Sequence, residues 1–171
     1  MRFTLNRLAR HYLPDLVYGA NDGIITTFAV VTGVVGASLS ERVIVILGFA
    51  NLVADGFSMG ASNYLARRSA AEAADRSDRA EAAQHGLATI LGFLAAGVIP
   101  LVAYLVPVSD GTQFPLAIAL TGVALFVVGA SRSVVTKLGF LRSGAEMLLV
   151  GSLAAAVAYG IGAFAAGLVD S

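Results

Sequence analysis

The chain has 171 residues, 57% hydrophobic and only 13% charged, with a mean hydropathy of +0.82, far from the roughly 25% charged residues of a soluble domain. Eleven basic and eleven acidic residues cancel, which leaves no broad electrostatic case for nucleic-acid binding. Cysteine is absent, so a disulfide framework or thiolate metal centre is excluded, and any metal ligand must be an oxygen, an imidazole or a thioether.

In chain order, residues 1–15 interleave Arg2, Arg7 and Arg10 with Phe3, Leu5, Leu8 and Leu13 and close on Pro14-Asp15. That pattern predicts a short interfacial helix on the cytoplasmic surface, stopped before a spanning one. No cleavable signal pattern follows it, so the first span is expected to be retained. Five apolar runs come next, at 16–39, 43–65, 86–107, 114–135 and 145–169, each near the roughly 20 residues a helix needs to cross about 30 Å of hydrocarbon. They are continuous rather than alternating, which excludes a β-barrel. The expected fold is an all-α integral membrane protein, a single transmembrane domain over residues 1–171 with five spanning helices.

Charge placement gives an orientation. Ten of the eleven cationic residues flank one side: Arg2, Arg7 and Arg10, then Arg67, Arg68, Arg76 and Arg79, then Arg132, Lys137 and Arg142; only Arg42 lies on the other. The positive-inside rule therefore predicts a cytoplasmic N-terminus and an outer C-terminus ending in Asp170-Ser171. Arginine in place of lysine, with abundant Ala, Gly and Val, suggests a GC-rich bacterial genome and hence a bacterial inner membrane.

Residues 66–85 are Ala-rich and free of Gly and Pro, with Arg68 to Glu72, Glu72 to Arg76 and Asp75 to Arg79 spaced four apart. Such pairs support an exposed helix by about 0.2–0.5 kcal/mol each, so a short cytoplasmic helical stalk is expected between the second and third spans. Glu72, Asp75, Asp78 and Glu81 read as a solvated, internally paired face rather than a metal-collecting strip, since each has an arginine within a turn. Within the spans, Gly56 and Gly60 are one turn apart, a spacing that lets helices approach closely in lipid.

The chemistry concentrates in the second span. On a helix, Asn51, Asp55, Ser58, Met59 and Ser62 fall within an arc of about 100°. A polar stripe in an otherwise apolar helix faces protein or water, and an ionisable residue inside a membrane marks function by default. Hard carboxylate and amide oxygens beside one thioether suit iron(II) or manganese(II) over calcium and magnesium. The competing account has Asn51, Ser58 and Ser62 making interhelical hydrogen bonds worth about 0.6 kcal/mol each and Met59 serving as core filler. Asp55 and Asp22 resist it, because a carboxylate at the bilayer centre costs about 2.5–3.5 kcal/mol and no Lys or Arg sits at matching depth. Asn21-Asp22-Gly23 predicts a locally loosened helix lining a cavity. Thr26, one turn on, presents its hydroxyl to the same path or bonds back to the backbone. Glu146, beside Arg142 in the first turn of the last span, reads as structural, and His11 and His85 as interfacial or solvated residues rather than ligands. No nucleophile and base pair, nucleotide loop or cofactor motif is present, so neither an enzyme nor a resident cofactor is expected.

Asp22-Gly23 early in the first span, Asp55-Gly56-Phe57-Ser58-Met59-Gly60 followed by Asn63-Tyr64-Leu65-Ala66, and Ser143-Gly144-Ala145-Glu146-Met147-Leu148-Leu149-Val150-Gly151 opening the last together resemble the vacuolar iron transporter family. This group includes the yeast calcium-cross-complementer and plant nodulin-21-like iron and manganese transporters. The resemblance covers nearly the whole chain. It implies a five-helix protomer that forms a homodimer, with a path at the dimer interface lined by the first two helices of both copies. Through that path, iron(II) or manganese(II) leaves the cytoplasm in exchange for protons. It implies that Asp22 and Met59 are metal ligands, Met59 forming a ring with its symmetry mate. The family's glutamate eight residues before this methionine is replaced here by Asn51, so Asp55 is expected to take over its role. The family's glutamate-rich cytoplasmic insert is reduced to residues 66–85. Asn21, Thr26, Ser58 and Ser62 are the further path-lining candidates. The alternative from another class is a non-transporting membrane assembly or anchoring module, whose polar stripe is a dimerisation seam.

Overall fold

The computed structural model describes residues 2–75, 79–109, 111–134 and 139–169. Arg76, Asp78, Lys137, Asp170 and Ser171, which entered the charge and stalk expectations, lie outside them. The described residues form helices and connecting turns, with no strand: α1 (Arg2–Gly36), α2 (Glu41–Ala73), α3 (Arg79–Gly97), a single turn α4 (Ile99–Val102), α5 (Gln113–Ser131) and α6 (Phe140–Val169). A 3-10 turn at Arg132–Val134 follows α5.

The burial pattern is that of a bundle in an apolar solvent. Large apolar side chains stand on the outside of every long helix, among them Val53 and Phe57 on α2, Leu87 and Leu91 on α3, Val123 and Val127 on α5, and Leu149, Leu153 and Phe164 on α6. Among the described residues, four helices are long and apolar enough to cross a membrane: α2, the α3–α4 unit Arg79–Val102, α5 and α6. Helix α1 is not among them, since Asn21, Asp22 and three threonines interrupt its apolar residues, yet it is the centre of the bundle and touches α2, α3, α5 and α6. Its Ile24 and Val31 are fully buried, with Phe93 of α3 and Leu101 of α4. A helix interrupted by polar and charged residues thus stands at the centre of the bundle, in contact with its neighbours on several sides.

Small residues bring α1 and α3 into backbone contact. A side chain at Gly19 would run into the Thr89 carbonyl and one at Gly92 into the Leu16 carbonyl. Helix α2 packs on a neighbouring face of α3 through a one-turn ladder of buried Ile44, Gly48, Leu52, Gly56 and Gly60. Gly60 sits against Ile90 and Gly86, the close approach that the Gly56/Gly60 spacing predicts.

Several expected boundaries move. Residues 2–15 are not a separate surface helix: α1 runs unbroken through Pro14. Proline inside a helix costs about 3 kcal/mol, and the docking of residues 11–15 on α3, described below, opposes that cost. Nor is the helix loosened at Asn21-Asp22-Gly23, where Gly23 instead lets α1 press on the Phe93 backbone. The third span, expected over 86–107, is helical only to Gly97, with one further turn to Val102. Pro100 has no N–H to donate and its ring crowds the preceding turn. Helix α2 continues beyond residue 65 to Ala73, making it about 50 Å long, and Asp75, at φ 53°, then turns the chain back. Asp75 therefore stands in the turn rather than on a helix face shared with Arg79. The pair Arg68–Glu72 is formed, Nε to Oε1 at 2.8 Å, and so is Arg142–Glu146 at 3.1 Å.

Candidate functional site

Asn51, Asp55 and Met59 lie along one side of α2, all half-buried, between the glycine ladder that meets α3 and the fully exposed face carrying Val53, Phe57 and Ser58. Asn51 Nδ2 donates to Asp55 Oδ2 at 2.8 Å, so the amide steadies one carboxylate oxygen and leaves the other available. Across the helix pair, Asp22 of α1 is half-buried and close enough to Asp55 for the two carboxylates to repel each other. Two carboxylates within reach of each other's charge in an apolar bundle are a costly arrangement without a cation or a proton to offset it.

Met59 and Ser62 line a crevice of about 460 Å³ between α1 and α2, shared with Pro14, Asp15, Tyr18, Asn63 and Ala66. It runs toward the end of the bundle where α2 turns into α3. The remaining candidates divide. Thr26 Oγ1 donates to the Asp22 carbonyl at 2.8 Å, so it bonds back to the backbone. Ser58 is on the exposed face of α2. Asn21 lines a different groove, with Val17, Arg132, Met147 and Val150.

The sequence reading missed a polar network at the crevice mouth. Asp15, expected to end a surface helix, is buried and ties three helices together. Its Oδ1 accepts from Asn63 Nδ2 at 2.8 Å and from Arg67 Nη2 at 2.9 Å, and its Oδ2 contacts His85 Nδ1 at 2.5 Å. Asn63 also donates to Thr89 Oγ1 at 2.6 Å and accepts from Arg67 Nε at 3.0 Å. Burial alone would raise the Asp15 carboxyl, but the hydrogen bonds of His85, Asn63 and Arg67 outweigh it and hold it below the ordinary aspartate range. His85, read as interfacial or solvated, is 2% exposed. The expectation fails because Gly86 and Gly60 draw α3 against α2 and α1 covers the histidine from the other side. The signal was present in a weak form, as Asp15 and His85 each immediately precede an apolar run and Asn63 lies near the end of the run between them.

Helices with lipid-type exteriors around a polar, partly charged seam define an integral membrane protein of the helical class. The chain belongs to the VIT family, which it matches over residues 13–85 and 73–163. It is similar to vacuolar iron transporter homolog 5 of Oryza sativa subsp. japonica, 27% identical over 164 residues covering 88% of this chain and 79% of that protein. It is likewise similar to homolog 1 of the same plant, 29% identical over 177 residues covering 92% and 75%. A shorter stretch is 44% identical to the vacuolar iron transporter of Plasmodium berghei (strain Anka), over 57 residues covering 33% of this chain and 21% of that protein. The chain spans about a fifth of the length of the Plasmodium and Toxoplasma relatives it matches.

Proposed function

We propose that the chain is a divalent transition-metal transporter, not an enzyme, that moves iron(II) or manganese(II) out of the cytoplasm in exchange for protons. The observation that carries the reading is the presence of two half-buried carboxylates, Asp22 and Asp55, on the packed helices α1 and α2, with Met59 one turn beyond Asp55 on the same side of α2. Its relatives are named as iron transporters. The missing counter-charge of the pair is the transported cation, or the proton that replaces it.

In this reading α1 supplies the fifth span, shielded from lipid by its neighbours. The N-terminus is cytoplasmic, as the ten cationic residues on that side require, and the membrane is a bacterial inner membrane, as the arginine-rich composition suggests. The ends of α2 and α3 project beyond the bilayer as a short stalk. A second copy covers the exposed face of α2, so that the stripes and the Met59 thioethers of two protomers face one another. A hydrated ion enters at the crevice mouth, exchanges water for Asp55, Asn51 and Met59, passes Asp22 and leaves on the far side. Ser62 and Ser58 line the widened path between protomers. Protons and metal compete for the Asp22 carboxylate, which makes it the coupling residue.

Proteoliposomes with an imposed pH gradient and a fluorescent metal reporter test this, comparing iron(II), manganese(II), zinc(II) and calcium. Uptake of iron(II) or manganese(II) is expected to fall at least tenfold in Asp22→Ala; unchanged uptake would sink the reading. The Asn51–Asp55 hydrogen bond, which partly satisfies the stripe within its own helix, favours the rival account of a dimerisation seam without transport. That account requires Asp55→Leu and Met59→Leu to preserve or strengthen the dimer, and the purified protein to bind no manganese by calorimetry.

A further inference from the structure

At the mouth of the crevice, outside the Asp22–Met59 seam, α1 and the first turns of α3 bring together His11, Glu81 and His85. One donor atom from each, a ring nitrogen or a carboxylate oxygen, lies within 4.8 Å of the other two. His11 Nε2 is 3.0 Å from Glu81 Oε1, and His85 Nε2 is 3.9 Å from the same oxygen. The imidazole rings of His11 and His85 have centroids 4.7 Å apart.

The orientation of His85 is what points to a ligand. A carboxylate can only accept, so the short contact with Asp15 Oδ2 puts a proton on Nδ1, and in the neutral imidazole Nε2 then carries the lone pair a metal would take. That Nε2 is buried and has no hydrogen-bond partner, in a residue 2% exposed, and it is directed at Glu81 and His11. A histidine whose far nitrogen donates to a carboxylate while the near one faces further donors is the usual arrangement of a metal-ligating imidazole. Metal–ligand bonds of 2.0–2.2 Å place neighbouring donors roughly 3.4 Å apart. The His11–Glu81 spacing is close to that, and the His85–Glu81 spacing is about half an ångström longer.

We propose that His11, Glu81 and His85 bind one divalent transition-metal ion of the zinc, cobalt or iron(II) type, with water completing the coordination and Asp15 positioning His85. Two imidazoles select against calcium and magnesium. Because Asp15 also lines the crevice, the site sits at the entrance to the seam without sharing a metal donor with it. It holds whether or not the chain transports metal.

Cobalt(II) is the probe, added to the purified full chain in detergent and read by its visible absorption. A D22N/D55N/M59L variant removes the seam donors. In it, one cobalt per chain is expected to bind with an intense low-coordinate histidine-type band, displaced by zinc and untouched by a hundredfold excess of magnesium. H11A, at an exposed position, is expected to fold normally, as judged by elution volume and unfolding temperature, and to bind cobalt at that site at least tenfold more weakly. E81Q is expected to do the same. D15N is expected to weaken binding about 10- to 100-fold and to shift the band at saturating cobalt, which a merely structural residue would not do. The proposal is overturned if neither the wild type nor the seam variant gives the band, or if H11A and H11A/E81Q bind cobalt as the wild type does.

Discussion

Asp15 shows how one side chain at a helix junction decides the local structure. Its two oxygens collect His85, Asn63 and Arg67, and an amide in its place would present an N–H to groups that themselves donate. Asp15→Asn is therefore expected to destabilise the protein by about 2 kcal/mol, the scale of a lost charge-assisted hydrogen bond, with part of the Arg67 contribution discounted because that residue is 42% exposed and screened. Thermal or denaturant unfolding in detergent measures it. Met59 makes the opposite kind of prediction. Leucine nearly conserves its volume, and such swaps usually cost under about 1.5 kcal/mol, so Met59→Leu is expected to fold as the wild type. If the thioether ligates the transported ion, iron(II) uptake falls about tenfold in that variant; equal uptake at equal stability would make Met59 a packing residue.

At the level of elements, α1 is held to α3 by contacts that leave no room for a side chain. Gly92 meets the Leu16 carbonyl, and Gly19 meets Thr89. A valine at Gly92 cannot be relieved by rotating a flexible neighbour, because the obstacle is backbone. Gly92→Val is expected to separate the helices and cost upwards of about 3 kcal/mol, the upper range for overpacking, seen as loss of a monodisperse peak in detergent. Gly160, which meets nothing nearby, serves as control, and Gly160→Ala is expected to be neutral within about 0.5 kcal/mol. Four of the five expected spans coincide with helices long and apolar enough to cross a membrane, because hydropathy and length carry that information directly. The joins were not legible in the sequence. Pro14 reads as a stop in isolation, yet α1 passes through it while its flanking residues dock on α3. Pro100 does end a helix, within a span that hydropathy alone draws as continuous.

For the whole molecule, the outer face of α2 is the surface that sets it apart. Val53 and Phe57 are 61% and 68% exposed, and beside them Ser58 and Ser62 are exposed on a helix that would otherwise meet lipid. If a second copy covers this face, Phe57→Cys is expected to give a cross-linked dimer in membranes under mild oxidation, whereas Val123→Cys, equally exposed at 65% on α5, stays monomeric. The reverse pattern would move the interface to α5. The stripe that defines the seam was readable from helical periodicity, since Asn51, Asp55 and Met59 share a face wherever the helix sits. The second carboxylate was not readable as its neighbour from spacing, because Asp22 is 33 positions away in the chain and comes within reach of the Asp55 charge only through the packing of α1 on α2.

The sequence by itself determined that this is a helical membrane protein, where its long apolar segments fall, and that carboxylates stand inside them, because hydropathy and helical period are local properties of the chain. Tertiary structure decided that α1, with its Asn21-Asp22 pair, is the central helix, that it is continuous through its proline, and that His85 is buried against Asp15. Those outcomes depend on glycine contacts between helices distant in the sequence. The crevice mouth, where Asp15, His85, Glu81 and His11 converge, belongs to the second group, since the α1 pair and the α3 pair meet only when α1 is laid against α3.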